Sequence, residues 1–208
     1  MKRTFVFVLL LLLCTFLHGC SSKDEMNSTN RELEDMNILS EEDIAWFNTE
    51  YFNSGNGINM RNMMLSSHYL NIADIDLYQL FYNVISGTEF QISDEEKAVL
   101  TEYNSSAADL DVIKITRQQI NEFLLEYTGL NLSDTAQNGL NEFLYLEEYD
   151  AYYLIHSDLN YVPCNIMSGM RNKDGNVILE YEMAGKNATV TLKENKSEYY
   201  FVSNTVNS

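Results

Sequence analysis

Lys173-Asp174-Gly175-Asn176-Val177-Ile178-Leu179-Glu180-Tyr181-Glu182-Met183 is the stretch that decides the fold of this chain. Val177, Leu179, Tyr181 and Met183 alternate with Ile178, Glu180 and Glu182, and a two-residue period puts those sets on opposite faces of a strand. Lys173 to Asn176 supplies a tight hairpin turn in front of it. Downstream the period continues. Val190 and Leu192 alternate with Thr189, Thr191 and Lys193, and Tyr199, Phe201 and Ser203 alternate with Tyr200 and Val202. Turns are expected at Ala184 to Lys186 and at Glu194 to Ser197, and residues 164 to 171 are read as a further strand. Asn172, Asp174, Gly175 and Asn176 also look like the middle of a calcium loop. With Gly175 at the sixth loop position, however, Met170 and Tyr181 would fall at the first and twelfth, where carboxylates are needed. A turn is the expectation.

The first part of the chain, from Ser40 to Gly129, reads as mainly helical. Ser40 with Asp43 opens a helix on which Ile44, Phe47 and Tyr51 share a face, and Asn53 to Gly57 ends it. Trp46, the only tryptophan, is read as part of that helix's packing. Residues 58 to 70 fit helix or strand. After Asp74 comes a wide apolar stripe of Leu77, Leu80, Phe81, Val84 and Ile85, stopped by Gly87. Ser93 with Glu96 caps a helix carrying Val99, Leu100 and Tyr103. Thr116 with Gln119 caps another, with Ile120, Phe123, Leu124 and Tyr127 on one face and Gly129 at its C-terminal end. Helices followed by an antiparallel meander predict an α+β domain, with N-terminal helices packed on a C-terminal sheet.

Residues 143 to 161 hold the densest chemistry: Tyr145, Tyr149, Tyr152 and Tyr153 stand among Glu147, Glu148, Asp150, His156 and Asp158. Tyrosine offers a rigid amphipathic surface for a ligand. Carboxylates beside it accept from sugar hydroxyls or work as an acid–base pair. The same residues also read as packing at the helix-to-sheet junction, with the acids facing water. His156 near Asp158 does not amount to a triad, whose members must converge in space. No catalytic residue, metal site or cofactor is assigned. Phosphate-cradling glycine loops, H-E-x-x-H helices, G-x-S-x-G elbows and S-x-x-K nucleophiles are all lacking.

The N-terminus addresses location. Lys2 and Arg3 precede an apolar run from Phe5 to Cys14, a length that fits a signal sequence and falls short of the roughly 20 residues that span a bilayer. Leu17-His18-Gly19-Cys20 resembles the lipobox of bacterial lipoproteins, which implies acylation of Cys20 and loss of residues 1–19. The chain carries 13 basic and 31 acidic residues, a formal charge of −18. Loss of Lys2 and Arg3 takes it to −20, since every acid lies beyond Cys20. Such a surface has no basic stripe for nucleic acid and is repelled by anionic lipid, which leaves the lipid as the anchor. Residues 20–39 are polar and read as a flexible tether, and 40–208 as a single domain. With Cys14 removed and Cys20 acylated, Cys164 has no disulfide partner and is read as a packed or surface thiol.

From the lipobox through Tyr145 to Tyr153 and on to the strand from Tyr199 to Asn204, the chain resembles a lipoprotein family of clostridia-like Gram-positive bacteria. That resemblance covers nearly the whole chain and implies a diacylglyceryl cysteine, palmitate-type acylation and a place on the extracytoplasmic face of the cell membrane. No activity comes with it. The function expected is that of a membrane-anchored binding or interaction module for a polar ligand or an envelope protein. A small envelope enzyme acting on glycans or wall polymers through a carboxylate pair is the alternative, and a structural spacer or assembly partner is the third.

Overall fold

The computed structural model describes residues 37–54, 59–82, 92–155, 161–196 and 198–207. The alternation that begins at Val177 forms an antiparallel sheet of five strands, β1 (Asn37–Ile38), β5 (Cys164–Arg171), β6 (Val177–Met183), β7 (Lys186–Asn195) and β8 (Glu198–Val206), in the spatial order β1-β5-β6-β7-β8. Val177, Leu179 and Tyr181 on β6 and Ala188, Val190 and Leu192 on β7 are buried on its inner face. The segment from Asn172 is a turn, as expected: the Asn172 side chain accepts from the backbone N–H groups of Asp174 and Asn176, and Gly175 takes φ 81°.

Two bulges modify the simple alternation. Val202 is an extra residue where Thr191 pairs with Ser203 but Leu192 pairs with Phe201, and the strand phase shifts there. Phe201 and Asn204 are buried in consequence, whereas Ser203, expected on the Phe201 face, is only half-buried. Met167 plays the same part on β5 and turns Gly169 inward. A Cβ on Gly169 would lie 2.7 Å from Leu179 and 2.8 Å from Leu39, so its absence allows the first helix to sit close to the sheet.

Five helices accompany the strands among the described residues: α1 (Glu41–Trp46), α2 (Met60–Met63), α3 (Leu77–Tyr82), α4 (Asp94–Tyr103) and α5 (Arg117–Thr128). All three capping boxes read from the sequence are formed, at Ser40–Asp43, Ser93–Glu96 and Thr116–Gln119, and Gly129 ends α5 at φ 74°. Ile120, Phe123 and Leu124 are the buried stripe of α5. Of residues 58–70, those from 59 onward form the single turn α2, capped by Asn59, and a loop that bridges to β8 at Tyr69 and Asn204. Asn37 and Ile38, read as the end of the tether, instead pair with Arg171 and Met170, because the exposed margin of β5 accepts a backbone partner there. Val84, Ile85, Gly87 and the N-terminal segment with Cys20 lie outside the described residues. No helix among those described is long and apolar enough to cross a membrane.

Helix α1 continues as a π-helical turn, Phe47–Phe52, that closes the rest of the β5 margin. Asn48 donates to the Ile166 carbonyl at 2.9 Å and accepts from its N–H at 2.7 Å. Asn53 does the same for Cys164, at 2.8 and 3.2 Å. Two amides five apart on a wide helical turn thus stand in for a neighbouring strand, satisfying backbone groups that an edge strand would leave open. Burial pushes the Cys164 thiol up to about 11 even though Asn53 favours its charged form, and this cysteine is a packed thiol. Trp46 is 43% exposed, with its ring against Phe47, Tyr51 and Tyr199 at the rim of this packing.

A second antiparallel sheet, β2 (Val112–Thr116), β3 (Leu144–Leu146) and β4 (Ala151–Ile155) in the order β2-β4-β3, carries the segment singled out from the sequence. One face of it joins the main core through Ile115 and Tyr152. The other packs Leu146, Ala151 and Tyr153 against Leu100 of α4 and forms a smaller core.

Candidate functional site

The tyrosine-rich segment is a hairpin. Its two strands, β3 and β4, are joined by a short turn at Glu147–Tyr149 that ends on Asp150 in the left-handed conformation, φ 44° and ψ 46°. Adjacent residues on a strand point to opposite faces, so the tyrosines and acids divide into two groups. Glu147 and Glu148, on the turn, are exposed to water. His156 and Asp158 lie outside the described residues.

On the smaller-core face, the Tyr153 hydroxyl donates to Glu96 Oε1 at 2.5 Å, and Lys114 pairs with the same oxygen. Lys114 also sits over the Tyr149 ring at 5.6 Å. Register explains the meeting, because Lys114 is directly opposite Tyr153 and therefore shares its face. Burial disfavours the Glu96 charge. Hydrogen bonds from Lys114, Tyr153 and the Ser93 N–H outweigh that penalty and lower the carboxyl to about 2. Burial, then the bond to Glu96, raises the Tyr153 phenol far above its ordinary value. Glu96 is 3% exposed and closed to solvent, so this group holds α4 on the sheet and presents nothing to a ligand.

The other face turns to the main core, and its rim at Arg117 and Asp150 is exposed. Tyr145 opposes Tyr152 with ring centroids 4.8 Å apart, and the Arg117 guanidinium lies 5.2 and 5.9 Å from their two ring centres. Asp150 Oδ1 accepts from the Tyr145 hydroxyl at 2.6 Å and from Arg117 Nε at 2.9 Å. The backbone adds a further tie, Arg117 N–H to the Asp150 carbonyl at 3.0 Å. Arg117 is the first residue of α5, immediately after the Thr116 cap and the end of β2, so strand register and helix start fix it together. The Tyr145 hydrogen bond, followed by that of Arg117, lowers the Asp150 carboxyl, and contact with Tyr145 and Asp150 raises the Arg117 guanidinium. Both side chains are charged throughout the physiological range.

Arg117 and Asp150 form one wall of a cleft of about 460 Å³, completed chiefly by the amides of Gln118, Asn121, Asn131 and Gln137, with Leu132 as its one aliphatic residue. Asn121 Oδ1 is held by the Leu132 N–H at 2.9 Å, and Gln118 Nε2 donates to Glu122 at 2.7 Å. Four described residues other than glycine have positive φ: Ala184 and Lys196 in the hairpin turns of the large sheet, and Gln137 and Asp150 here. Unfavourable backbone at two walls of one cleft fits a site whose geometry is maintained by its surroundings.

Of the residues singled out from the sequence, Asp150 lines this cleft, and Tyr145 and Tyr152 stand behind it against the arginine. Tyr149 and Tyr153 belong to the opposite face. Arg117, Gln118, Asn121, Asn131 and Gln137 had no motif to announce them. The available signal was Val112-Ile113-Lys114-Ile115-Thr116, a β-branched alternation ending on a helix cap, which brings Arg117 beside Asp150 once it pairs with residues 151–155. Asp150 is the one carboxylate lining the cleft among the described residues. No three His, Cys, Asp or Glu side chains converge among those residues. Compared with protein-family models, curated proteins and solved structures, the chain matches none.

Proposed function

We propose that this chain is a lipid-anchored binding protein of the extracytoplasmic membrane face, and that the Arg117–Asp150 cleft holds its polar ligand. The observation that carries the site is the fixed Arg117–Asp150 pair, backed by Tyr145 and Tyr152 and bordered by amides. A donor and an acceptor held side by side recognise a polar ligand without having to be ordered first, which spares the entropy that binding otherwise costs. The anchor is supported by the basic start, the apolar run and Cys20. A carboxylate-pair enzyme needs two acids across the cleft, about 5 to 10 Å apart, and this cleft brings one to its wall.

Thermal-shift measurements on the intact chain with a panel of sugars, amino acids, dicarboxylates and polyamines test the site. A compound that raises Tm in the wild type and not in Arg117→Lys or Asp150→Asn is expected. Equal stabilisation of all three proteins by every active compound would remove the cleft from the account. For the anchor, metabolic labelling with a fatty acid should mark the wild type and disappear in Cys20→Ser, and retained label in the variant would refute it.

A further inference from the structure

We infer that the ligand of this cleft is an uncharged glycan, grasped through a pair of neighbouring hydroxyls; the inference rests on the binding reading above. The first argument is the valence left by the ion pair. Tyr145 and Arg117 both address Oδ1 of Asp150, leaving Oδ2 without a donor among the described residues. The Arg117 fork has five N–H donors, of which Nε–H is the one directed at that oxygen. One hydroxyl donating to Oδ2 while its neighbour accepts from the terminal guanidinium nitrogens satisfies both without breaking the Arg117–Asp150 bond. A carboxylate or phosphate at those terminal nitrogens would stand beside the Asp150 carboxylate and be repelled by it.

Charge points the same way. The cleft's cation and anion cancel, and they sit in a chain of 13 basic and 31 acidic residues that repels polyanions at long range. The remaining wall is suited to hydroxyls as well. Gln118, Asn121, Asn131 and Gln137 each carry a donor and an acceptor on one plane, matching groups that also do both. Gln118 already donates through Nε2 and keeps Oε1, while Asn121 already accepts through Oδ1 and keeps Nδ2. About 460 Å³ is within the range of small-molecule sites. The rings of Tyr145 and Tyr152 are used to hold the arginine, so recognition here depends on hydrogen bonds more than stacking.

Affinity electrophoresis tests this with the intact chain in a polyoxyethylene detergent, since a maltoside detergent would itself be a glycan. Gels contain laminarin, galactomannan or arabinoxylan as neutral polymers, or polygalacturonate or hyaluronan as anionic ones. Retardation by at least one neutral polymer is expected, with affinity lowered about tenfold in Arg117→Lys and Asp150→Asn and unchanged in Arg171→Lys, which alters a surface pair elsewhere. Gln118→Ala, an exposed substitution that cannot unfold the domain, should lower affinity several-fold. Retardation only by the anionic polymers, lost in Arg117→Lys, would overturn the uncharged class of ligand and leave the cleft as the site. Equal retardation of wild type and all variants by neutral polymers would overturn both. No retardation by any polymer would overturn the glycan inference alone.

Discussion

Tyr152 and Tyr153 are consecutive on β4, yet their side chains enter different cores: Tyr152 packs beside Ile115 and Tyr145 under Arg117, and Tyr153 reaches Glu96 at 2.5 Å. This division separates support from recognition within the tyrosine-rich segment. The smaller-core face fastens α4 to the small sheet, and the rim of the main-core face presents Arg117 and Asp150.

The two tyrosines should therefore respond differently to loss of a hydroxyl. Tyr153→Phe removes a donor from the buried Glu96 carboxylate and is expected to cost about 1–3 kcal/mol. Tyr152→Phe should stay within about 0.5 kcal/mol, because that hydroxyl makes no hydrogen bond among the described residues. Urea denaturation of both variants measures the contrast, and equal costs would remove the distinction.

Glu96 also predicts an acid-sensitive step. Its carboxyl is depressed to about 2 in the folded protein from an ordinary value near 4.5. Its contribution is thus complete above about pH 4.5 and is lost as pH falls toward 2, where folded and unfolded states bind the proton alike. The stability gap between wild type and Glu96→Gln should be constant at neutral pH and narrow across that interval. A gap independent of pH would contradict the assignment.

Gly169 is where the first helix, through Ile44, and Leu39 just before it pack close to the large sheet. Gly169→Ala places a methyl within 3 Å of both Leu179 and Leu39. Overpacking of this kind costs about 1–3 kcal/mol. A reduced Tm with an unchanged sheet signal in circular dichroism is the expected result.

Asn48 supplies both backbone partners of Ile166. Asn48→Ala should speed hydrogen exchange at the Ile166 amide by well over tenfold and leave the amides of β6 and β7 protected. Uniform acceleration across the sheet would mean that Asn48 supports global stability in place of one strand margin.

Local chemistry made much of this fold legible. The three capping boxes and Gly129 act within four residues of one another, and the β6 alternation depends only on a period of two. Bulges were not legible. Val202 shifts β8 by one residue and buries Asn204, whose side chain accepts from Tyr181 at 2.7 Å and donates to Ser67 at 2.8 Å, and no polar residue announces such a role by its position in a pattern. The candidate site was half legible: Asp150 and its tyrosines lie together in the sequence, while Arg117 is 33 residues away and arrives through the pairing of β2 with β4. A segment read as one constellation is in fact two because a strand turns each successive side chain over.

The most direct test of the cleft is a ¹H–¹⁵N titration of the intact chain, in polyoxyethylene detergent, with mixed gluco-, manno- and xylo-oligosaccharides. The account predicts saturable shifts concentrated on the Arg117 Nε–H and the side-chain amides of Gln118 and Asn121, with the affinity lowered about tenfold in Asp150→Asn. Shifts centred elsewhere, or persisting unchanged in that variant, would contradict it.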